Sequence, residues 1–291
     1  MTPLPPKPTS SDVVANAIRR SVAGHLRDAP GIVLGEDPEC LHRARVAIRR
    51  LRSDLRTFKP LLESSWSRSL RSDLRQLGAV LGAVRDSDVL ILRFEDSARR
   101  LPSVEGIEPL VATLVASRTA RREELLAFME GNLYAELLDR LVEAAVNPAI
   151  DPQCPTSVTR LNRLMRRPWR RLARAVKRLP DDPPDEMLHA VRIDTKRARY
   201  ASEALAPALG KPARRFAKHA ANLQKVLGNL QDAALAYEWL SCWSATRNEP
   251  RSTFVAGQLA GLEIARGSTA RATWRDAWDD LSRAKNTSWI A

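Results

Sequence analysis

The fold is decided by a basic stretch at residues 41–52, which reads LHRARVAIRRLR. Its apolar residues recur at steps of three and four, which is the spacing of one face of an α-helix. This face consists of Leu41, Ala44, Ile48, Leu51 and Leu55. One residue further along lies a basic face, which consists of His42, Arg45, Arg49, Arg52 and Arg56. The stretch therefore predicts a helix with a buried apolar face and a basic face about 21 Å long.

The same pattern returns 147 residues later in the chain. Residues 188–199 read LHAVRIDTKRAR, and five of the twelve positions are identical to residues 41–52. The basic positions of this second copy are His189, Arg192, Lys196 and Arg199. A second pair of blocks follows in the same order, because residues 77–86 (LGAVLGAVRD) and 223–232 (LQKVLGNLQD) share five of ten positions. Two matched blocks in one order predict a duplicated helical unit.

The remaining sequence predicts an all-α protein. Apolar residues recur at helical spacing between proline and glycine breaks, and no long alternating β-branched run occurs. We predict two copies of one helical unit, of about six helices each, packed about a pseudo-twofold axis that brings their equivalent charges to a common centre. The first bundle is expected at residues 11–147 and the second at 148–291, after a disordered, proline-rich tail at 1–10. The predicted helices are 10–28, 38–58, 63–83, 85–100, 107–130, 132–146, 156–179, 185–206, 212–229, 231–246, 251–266 and 268–286. Pro168 is expected either to bend its helix or to start a new one.

The charge balance points to an acidic ligand. The 291 residues include 47 basic and 34 acidic side chains, which gives a net charge of +13. Of the basic residues 39 are arginine, whose planar guanidinium binds phosphate oxygens in pairs. Residues 1–147 carry a net charge of +2 and residues 148–291 carry +11. A phosphate-bearing ligand is therefore favoured.

Other features narrow the class of protein. The three cysteines, Cys40, Cys154 and Cys242, form no CxxC pair and argue against a disulfide framework or a zinc site. Residues 1–11 lack the apolar core of a secretory signal, and the longest apolar stretch, 77–84, is too short to cross a bilayer. We expect a soluble, cytoplasmic protein without a membrane association.

The basic faces have an ordinary interpretation and a functional one. A solvated helix face usually mixes signs, because like charges one turn apart repel. The face from His42 to Arg56 contains no acidic residue, so we favour an external polyanion that supplies the missing negative charge. By contrast, Arg118, Arg121 and Arg122 precede Glu123 and Glu124 and are expected to pair with them on the surface. Helix geometry adds further candidates for the polyanion site, which are Arg20, Arg27, Arg71, Arg75, Arg167, Arg174, Lys218 and Lys225.

The repeated histidines and aspartates have less specific interpretations. His42 and His189 are either structural residues or two groups near the symmetry axis that add charge to an anion site or bind a metal. No metal or cofactor is predicted at either histidine. Asp86 and Asp232 each follow a Leu-Gly pair and are expected to cap the next helix.

The two pairs of blocks together resemble the CHAD domain, the conserved histidine α-helical domain. The resemblance extends from about residue 12 to about residue 285. It implies an all-α domain of two pseudo-symmetric helical bundles whose basic faces line a basic central cavity or groove. The family is associated with binding of inorganic polyphosphate and with polyphosphate granules. The basic positions that match the family motif are His42, Arg45, Arg49, Arg52, His189, Arg192, Lys196 and Arg199. The second copy departs from the motif at Ala198, where the first has Leu51, and at Gln231, where the first has Arg85.

Three functions are compared on this basis. The favoured one is non-enzymatic binding of inorganic polyphosphate, with polyphosphate granules as an expected location. Nucleic-acid binding is the second, although the basic face of the first copy lacks the aromatic and amide side chains that contact bases. The third is a metal-chelating or phosphate-processing accessory role for His42 and His189, which would ask for a metal-carboxylate cluster or a glycine-rich loop. Neither motif is found in the sequence.

Overall fold

The computed structural model of the chain is built from α-helices. It describes residues 5, 8–35, 37–154, 157–158 and 161–290, and ten α-helices lie within these residues. The first five are α1 (Ser10–Leu34), α2 (Pro38–Thr57), α3 (Ser64–Ala98), α4 (Glu108–Glu130) and α5 (Asn132–Val146). The next five are α6 (Arg163–Lys177), α7 (Asp185–Leu209), α8 (Lys211–Ala245), α9 (Pro250–Ser282) and α10 (Ala284–Thr287). Short 3-10 helices cover Lys59–Leu61 and Ser288–Ile290.

The N-terminal ends of α1 and α2 follow from local sequence. The Thr9 hydroxyl accepts the backbone N–H of Asp12, whose carboxylate accepts the N–H of Thr9, and this capping box fixes the start of α1. Asp37 caps α2, and Pro38 occupies its first turn, where no donor is needed. Residues 1–4, 6 and 7 of the predicted tail lie outside the described residues.

Several predicted helix boundaries are wrong. The predicted pairs 63–83 with 85–100, 212–229 with 231–246, and 251–266 with 268–286 are the continuous helices α3, α8 and α9, apart from the last residues of the third pair. Five helices, not six, therefore precede residue 148 in the described part of the chain, and five follow it. A glycine inside a helix costs only about 1 kcal/mol, which packing offsets, so Gly82 and Gly228 do not end their helices. Asp86 and Asp232 consequently lie inside helices and are not caps.

Prolines also fail to end the helices that contain them. α1 continues through Pro30 to Leu34, beyond the predicted end at residue 28. α6 begins at Arg163 and contains Pro168 in its second turn, where the missing N–H removes a single backbone bond. The start predicted at residue 156 lies outside the described residues, as do 159 and 160, and residues 157–158 and 161–162 are not α-helical.

One hydrophobic core joins the two parts of the chain. It contains fully buried residues from α2, such as Leu51, together with Leu188 of α7 and Phe216 of α8. α1 packs against α2 and α5, α7 packs between α6 and α8, and a direct α2–α7 contact joins these groups. A smaller apolar cluster around Phe94 and Leu240 closes the far ends of α3 and α8. No helix in the described part of the chain has the length and apolar content required to cross a bilayer.

Candidate functional site

The contact between α2 and α7 brings the basic faces of the two repeated stretches to one cavity. The apolar face of α2 is buried, with Leu51 and Leu55 at 0% exposure, so the neighbouring face is turned toward the gap between α2, α3, α7 and α8. A cavity of about 750 Å³ fills this gap. Its basic lining residues include Arg45 and Arg49 from α2 and His189, Arg192 and Lys196 from α7. Five of the predicted site residues are therefore brought together.

Arg45 and Arg192 occupy matching environments in the two halves of the cavity. Arg45 crosses α3 at Gly82, where an added Cβ would lie 3.2 Å from its Nη2 atom, and it reaches Asp86 Oδ1 at 3.1 Å. Arg192 crosses α8 at Gly228, where an added Cβ would lie 3.6 Å from Nε, and its Nη2 lies 3.8 Å from Asp232 Oδ1. The repeated Leu-Gly pairs thus give arginine side chains room to cross a helix, instead of forming turns.

The acidic side chains of neighbouring helices partly offset the basic faces. Besides Asp86 and Asp232, Glu203 accepts hydrogen bonds from Arg50 at 3.4 Å and from Arg199 at 2.6 Å. The first basic face itself contains no acidic residue, but Asp86 of α3 offsets the charge of its Arg45. Asp232 of α8 and Glu203 of α7 offset Arg192 and Arg199 of the second basic face. Arg49 Nε and Arg192 Nε are nevertheless buried without a hydrogen-bond partner.

The pKa values of three cavity cations are lowered, mainly by burial. Burial lowers the pKa of Arg45 and of Arg192, and in both the neighbouring charge of Arg49 acts in the same direction. Burial, followed by the charges of Arg192, Arg49 and Arg45, lowers the pKa of Lys196 to about 8. An anion in the cavity would favour the charged form of each of these groups.

The two histidines are placed differently. His189 lines the cavity, and its Nδ1 lies 2.5 Å from Gln231 Oε1. His42 is half-buried outside the set of cavity-lining residues, and burial followed by the charge of Arg85 lowers its pKa. Arg85 and Gln231 are matched positions of the two repeats, so the sequence difference noted there changes the neighbour of each histidine. No group of three metal-ligating side chains occurs among the described residues.

A second group of cations continues from the cavity along α2. Partial burial, followed by the positive charges of Arg75 and Arg71, lowers the pKa of Arg52. Arg56 has its pKa lowered to about 10 by partial burial and then by Arg197, Arg71, Arg52 and Arg171. We call Arg52, Arg56, Arg71 and Arg75 the α2–α3 arginine group.

The remaining predicted site residues lie apart from the cavity lining. Arg27 is exposed and pairs with Asp28 at 2.9 Å. The charge of Arg20 acts on the buried Asp54, where it opposes the rise in pKa that burial causes. Arg199 lies over the Tyr200 ring, as Arg49 does, and pairs with Glu203. Lys218 and Lys225 are exposed on α8. Arg167 and Arg174 line a separate groove on α6.

The cavity also contains residues that the sequence interpretation missed. They are Arg93, Gln224, Gln231, Glu238 and Trp239. Arg93 and Trp239 lie seven residues beyond Asp86 and Asp232, so extending the matched blocks by two helical turns finds them. The helix breaks wrongly predicted near residues 84 and 230 concealed that α3 and α8 continue to Arg93 and Trp239.

The arginines of α4 illustrate a structural use of the same side chain. The prediction that Arg118, Arg121 and Arg122 pair with Glu123 and Glu124 is wrong. Arg118 Nε donates to Asp88 at 2.5 Å, and Arg121 Nη1 donates to the Ala83 carbonyl at 3.2 Å. Arg122 donates to the carbonyls of residues 32 and 33. These arginines connect α4 to α3 and to the end of α1.

Comparison with known proteins finds relatives that match most of the chain. The chain is 27% identical over 259 residues to the uncharacterised proteins MT2285 and Rv2226 of Mycobacterium tuberculosis; the match covers 84% of this chain and 48% of each relative. The chain thus spans about half the length of these relatives.

Two solved structures have the same fold. PptA from Streptomyces chartreusis superposes with a TM-score of 0.78 at 23% identity, over 94% of this chain and 100% of that one. The CHAD domain from the plant Ricinus communis superposes with a TM-score of 0.77 at 26% identity, over 96% of this chain and 94% of that one. The sequence model of the CHAD domain family matches residues 16–241 of this chain. The chain therefore belongs to the CHAD domain family.

Proposed function

We propose that this chain binds inorganic polyphosphate in the cavity between α2 and α7 and does not turn it over. The observation that carries the proposal is the convergence of Arg45, Arg49, Arg192 and Lys196 on one cavity. A polymer that bears charge but no bases is recognised by rows of guanidinium and ammonium groups. The association of the CHAD family with polyphosphate, which the sequence resemblance implies, agrees with this choice.

We further propose that the cavity is a single site shared by two pseudo-symmetric helical units. Three features support this arrangement: α3 and α8 both have 35 residues, α2 and α7 begin 147 residues apart, and Arg45 and Arg192 both cross a glycine toward an aspartate. A ligand between α2 and α7 would touch both units at once. This geometry favours a polymer over an isolated phosphate ion.

Absence of catalysis is part of the proposal. In this proposal Asp86, at 3.1 Å from Arg45, and Asp232, at 3.8 Å from Arg192, act as counter-ions of the cavity cations and not as general bases. Incubation of the protein with long-chain polyphosphate and Mg²⁺ or Mn²⁺ should release no phosphate above the rate without protein. Phosphate release that is lost in a His189→Ala variant would contradict a pure binding role.

Single-stranded nucleic acid is a second candidate, which one observation favours. Trp239, Gln224 and Gln231 line the same cavity, and an indole ring with two amides could contact bases. Trp239 also stacks on Trp243 and packs on Phe94, which gives it a structural role in either case.

A competition experiment separates these ligands. At fixed, near-physiological salt, long-chain polyphosphate should displace a labelled polyphosphate more effectively than single-stranded DNA, RNA or heparin. The variant Trp239→Leu should keep its polyphosphate affinity, whereas loss of stacking weakens nucleic-acid binding by about 1–3 kcal/mol per base. Equal competition by all four polymers would show that the cavity binds any polyanion through its positive charge alone. Localisation of a tagged protein to cytoplasmic polyphosphate granules would test the expected location.

A further inference from the structure

The exposed side of α6 carries a groove that is separate from the central cavity. The groove has a volume of about 700 Å³. Its basic lining consists entirely of arginine, while Asp194 is the acidic lining residue and Ala175 the apolar one. We call this surface the α6 groove; its seven arginines are Arg163, Arg166, Arg167, Arg170, Arg171, Arg174 and Arg178.

The side chains of most of these arginines lack a partner among the described residues. Arg171 pairs with Asp194 at 2.8 Å, and the same carboxylate also accepts a hydrogen bond from Arg197 at 2.6 Å. The side chains of the other six groove arginines form no hydrogen bond or ion pair within the described part of the chain. Arg118 and Arg122 of α4, in contrast, are held by protein acceptors. Six unpaired like charges on a single helix repel one another, and a bound polyanion would remove this penalty.

The α6 groove is connected to the central cavity by other cations. Arg49, in the cavity, lies one turn before Arg52 on α2, and Arg56 lies one turn further on. The charges of Arg52 and Arg171 both act on Arg56, so Arg56 connects the α2–α3 arginine group, to which it belongs, with α6. Arg197 also acts on Arg56 and shares Asp194 with Arg171. Cations thus follow one another from the cavity to α6.

The chemistry of the groove fits an extended phosphate polymer better than a protein or a nucleic acid. A protein partner would normally insert apolar or aromatic anchors, but Ala175 is the sole apolar residue that lines the groove. Trp169, the aromatic residue of α6, packs against Trp278 and Phe216 and does not line the groove. Guanidinium groups at successive turns match a ligand that repeats a phosphate and presents no base.

We infer that the α6 groove is a second docking surface for inorganic polyphosphate, reached by a chain that extends from the central cavity past Arg52 and Arg56. The inference rests on the proposed function, because it assumes that the cavity holds the same polymer. A chain long enough to touch both surfaces gains a second, intramolecular contact, whereas a short oligophosphate fills the cavity alone. The α6 groove therefore makes affinity depend on chain length.

The test compares two variants that lose the same charge. The groove variant combines Arg166→Gln, Arg170→Gln and Arg174→Gln; the control variant combines Arg99→Gln, Arg100→Gln and Arg251→Gln. The control arginines are exposed and pair with the exposed side chains of Asp96 and Glu105, so their loss costs little stability. Binding of tripolyphosphate and of long-chain polyphosphate is measured for each variant over a range of salt concentrations. Thermal unfolding confirms that both variants fold.

We expect the groove variant to bind tripolyphosphate as the unmodified protein does and to bind the long chain more weakly. Loss of three contacts should reduce the slope of log affinity against log salt by about 2 for the long chain only. The control variant should retain the slope. Equal slopes in the groove and control variants, or an equal loss for both ligands, would overturn the inference while leaving cavity binding intact. Failure of the unmodified protein to bind either phosphate would instead overturn the proposed function, and the inference with it.

Discussion

In the first half of the cavity, lined by α2 and α3, Arg45 lies 3.1 Å from Asp86, whereas in the second half, lined by α7 and α8, Arg192 lies 3.8 Å from Asp232. The Asp86 side chain is 64% exposed and that of Asp232 is 40% exposed. Burial raises the pKa of Asp232. The second half thus presents a looser ion pair on the same helical framework.

A second difference lies one turn along α2 and α7. The first half has Arg49, and the second half has Lys196, whose pKa burial lowers to about 8. In the proposed two-unit arrangement, matched helices set the positions of the cations, while individual side chains set how firmly each charge is held. Ligand binding should therefore respond differently to changes in the two halves.

Removal of the cations at this position should have the largest effect. The variant Arg49→Ala/Lys196→Ala loses one charge from each half, and two lost contacts should weaken long-chain polyphosphate binding by roughly 30-fold at about 0.1 M salt. The salt slope should flatten at the same time. Titration at several salt concentrations measures both quantities. An unchanged slope would mean that neither side chain contacts the ligand, and Arg100→Ala/Arg283→Ala serves as a charge-matched control.

The pH dependence should isolate the second half. Because the pKa of Lys196 in the free protein is about 8, the ammonium is charged below that pH and binding weakens as the pH rises through it. Loss of this one contact should cost about fivefold in affinity between pH 7 and pH 9. The Lys196→Arg variant keeps its charge and should lose this dependence. If both proteins show the same pH profile, Lys196 is not in the site.

The two glycines offer a smaller, matched test. Ala in place of Gly should raise the free energy of unfolding by about 0.5–1 kcal/mol at either helix position. At Gly228 the new Cβ lies in ordinary contact with Arg192, so affinity should not change. At Gly82 the Cβ would press on Arg45, and affinity should fall by less than the roughly fivefold value of a full contact. Chemical denaturation and ligand titration measure the two effects. Equal affinity losses in both variants would show that the halves do not differ here.

A change in the core of one half should alter stability without altering binding. Asp54 is buried beside Ser21, whose hydroxyl donates to it at 3.0 Å, and burial raises its pKa to about 7. The matched residue in the second repeat is Ala201. Since the folded state holds a proton that the unfolded state releases, stability should fall by up to about 1.4 kcal/mol per unit as the pH rises from about 4 to 7. The Asp54→Asn variant should lack this slope; retention of the slope would assign it to another group.

The sequence predicted the helical class and the basic faces because both depend on local periodicity. Leu51 and Leu55 are buried as their spacing requires, and Arg45, Arg49, Arg192 and Lys196 share one cavity. The glycines were misinterpreted because a glycine can serve a turn or the close approach of a side chain. Only the packing of α2 on α3 distinguishes these uses at Gly82.

The partners of individual arginines could not be predicted in the same way. Arg122 donates to carbonyls 90 and 89 residues away in sequence, and Arg50 reaches Glu203 across the α2–α7 contact. Such pairs depend on how the helices pack against one another. The spacing of residues along a single helix gives no information about that packing. The α6 groove differs, because its arginines can be recognised from the sequence but their lack of partners requires the structure.

The most direct test of the shared cavity is a double-mutant cycle on Arg45 and Arg192. The free energy of long-chain polyphosphate binding is measured for Arg45→Ala, Arg192→Ala and the double variant at one salt concentration. One ligand that touches both halves predicts a coupling of roughly 0.5–3 kcal/mol, since residues that share a partner are not additive. Single losses that add within about 0.5 kcal/mol would show two independent sites and would contradict a cavity shared by the two repeats.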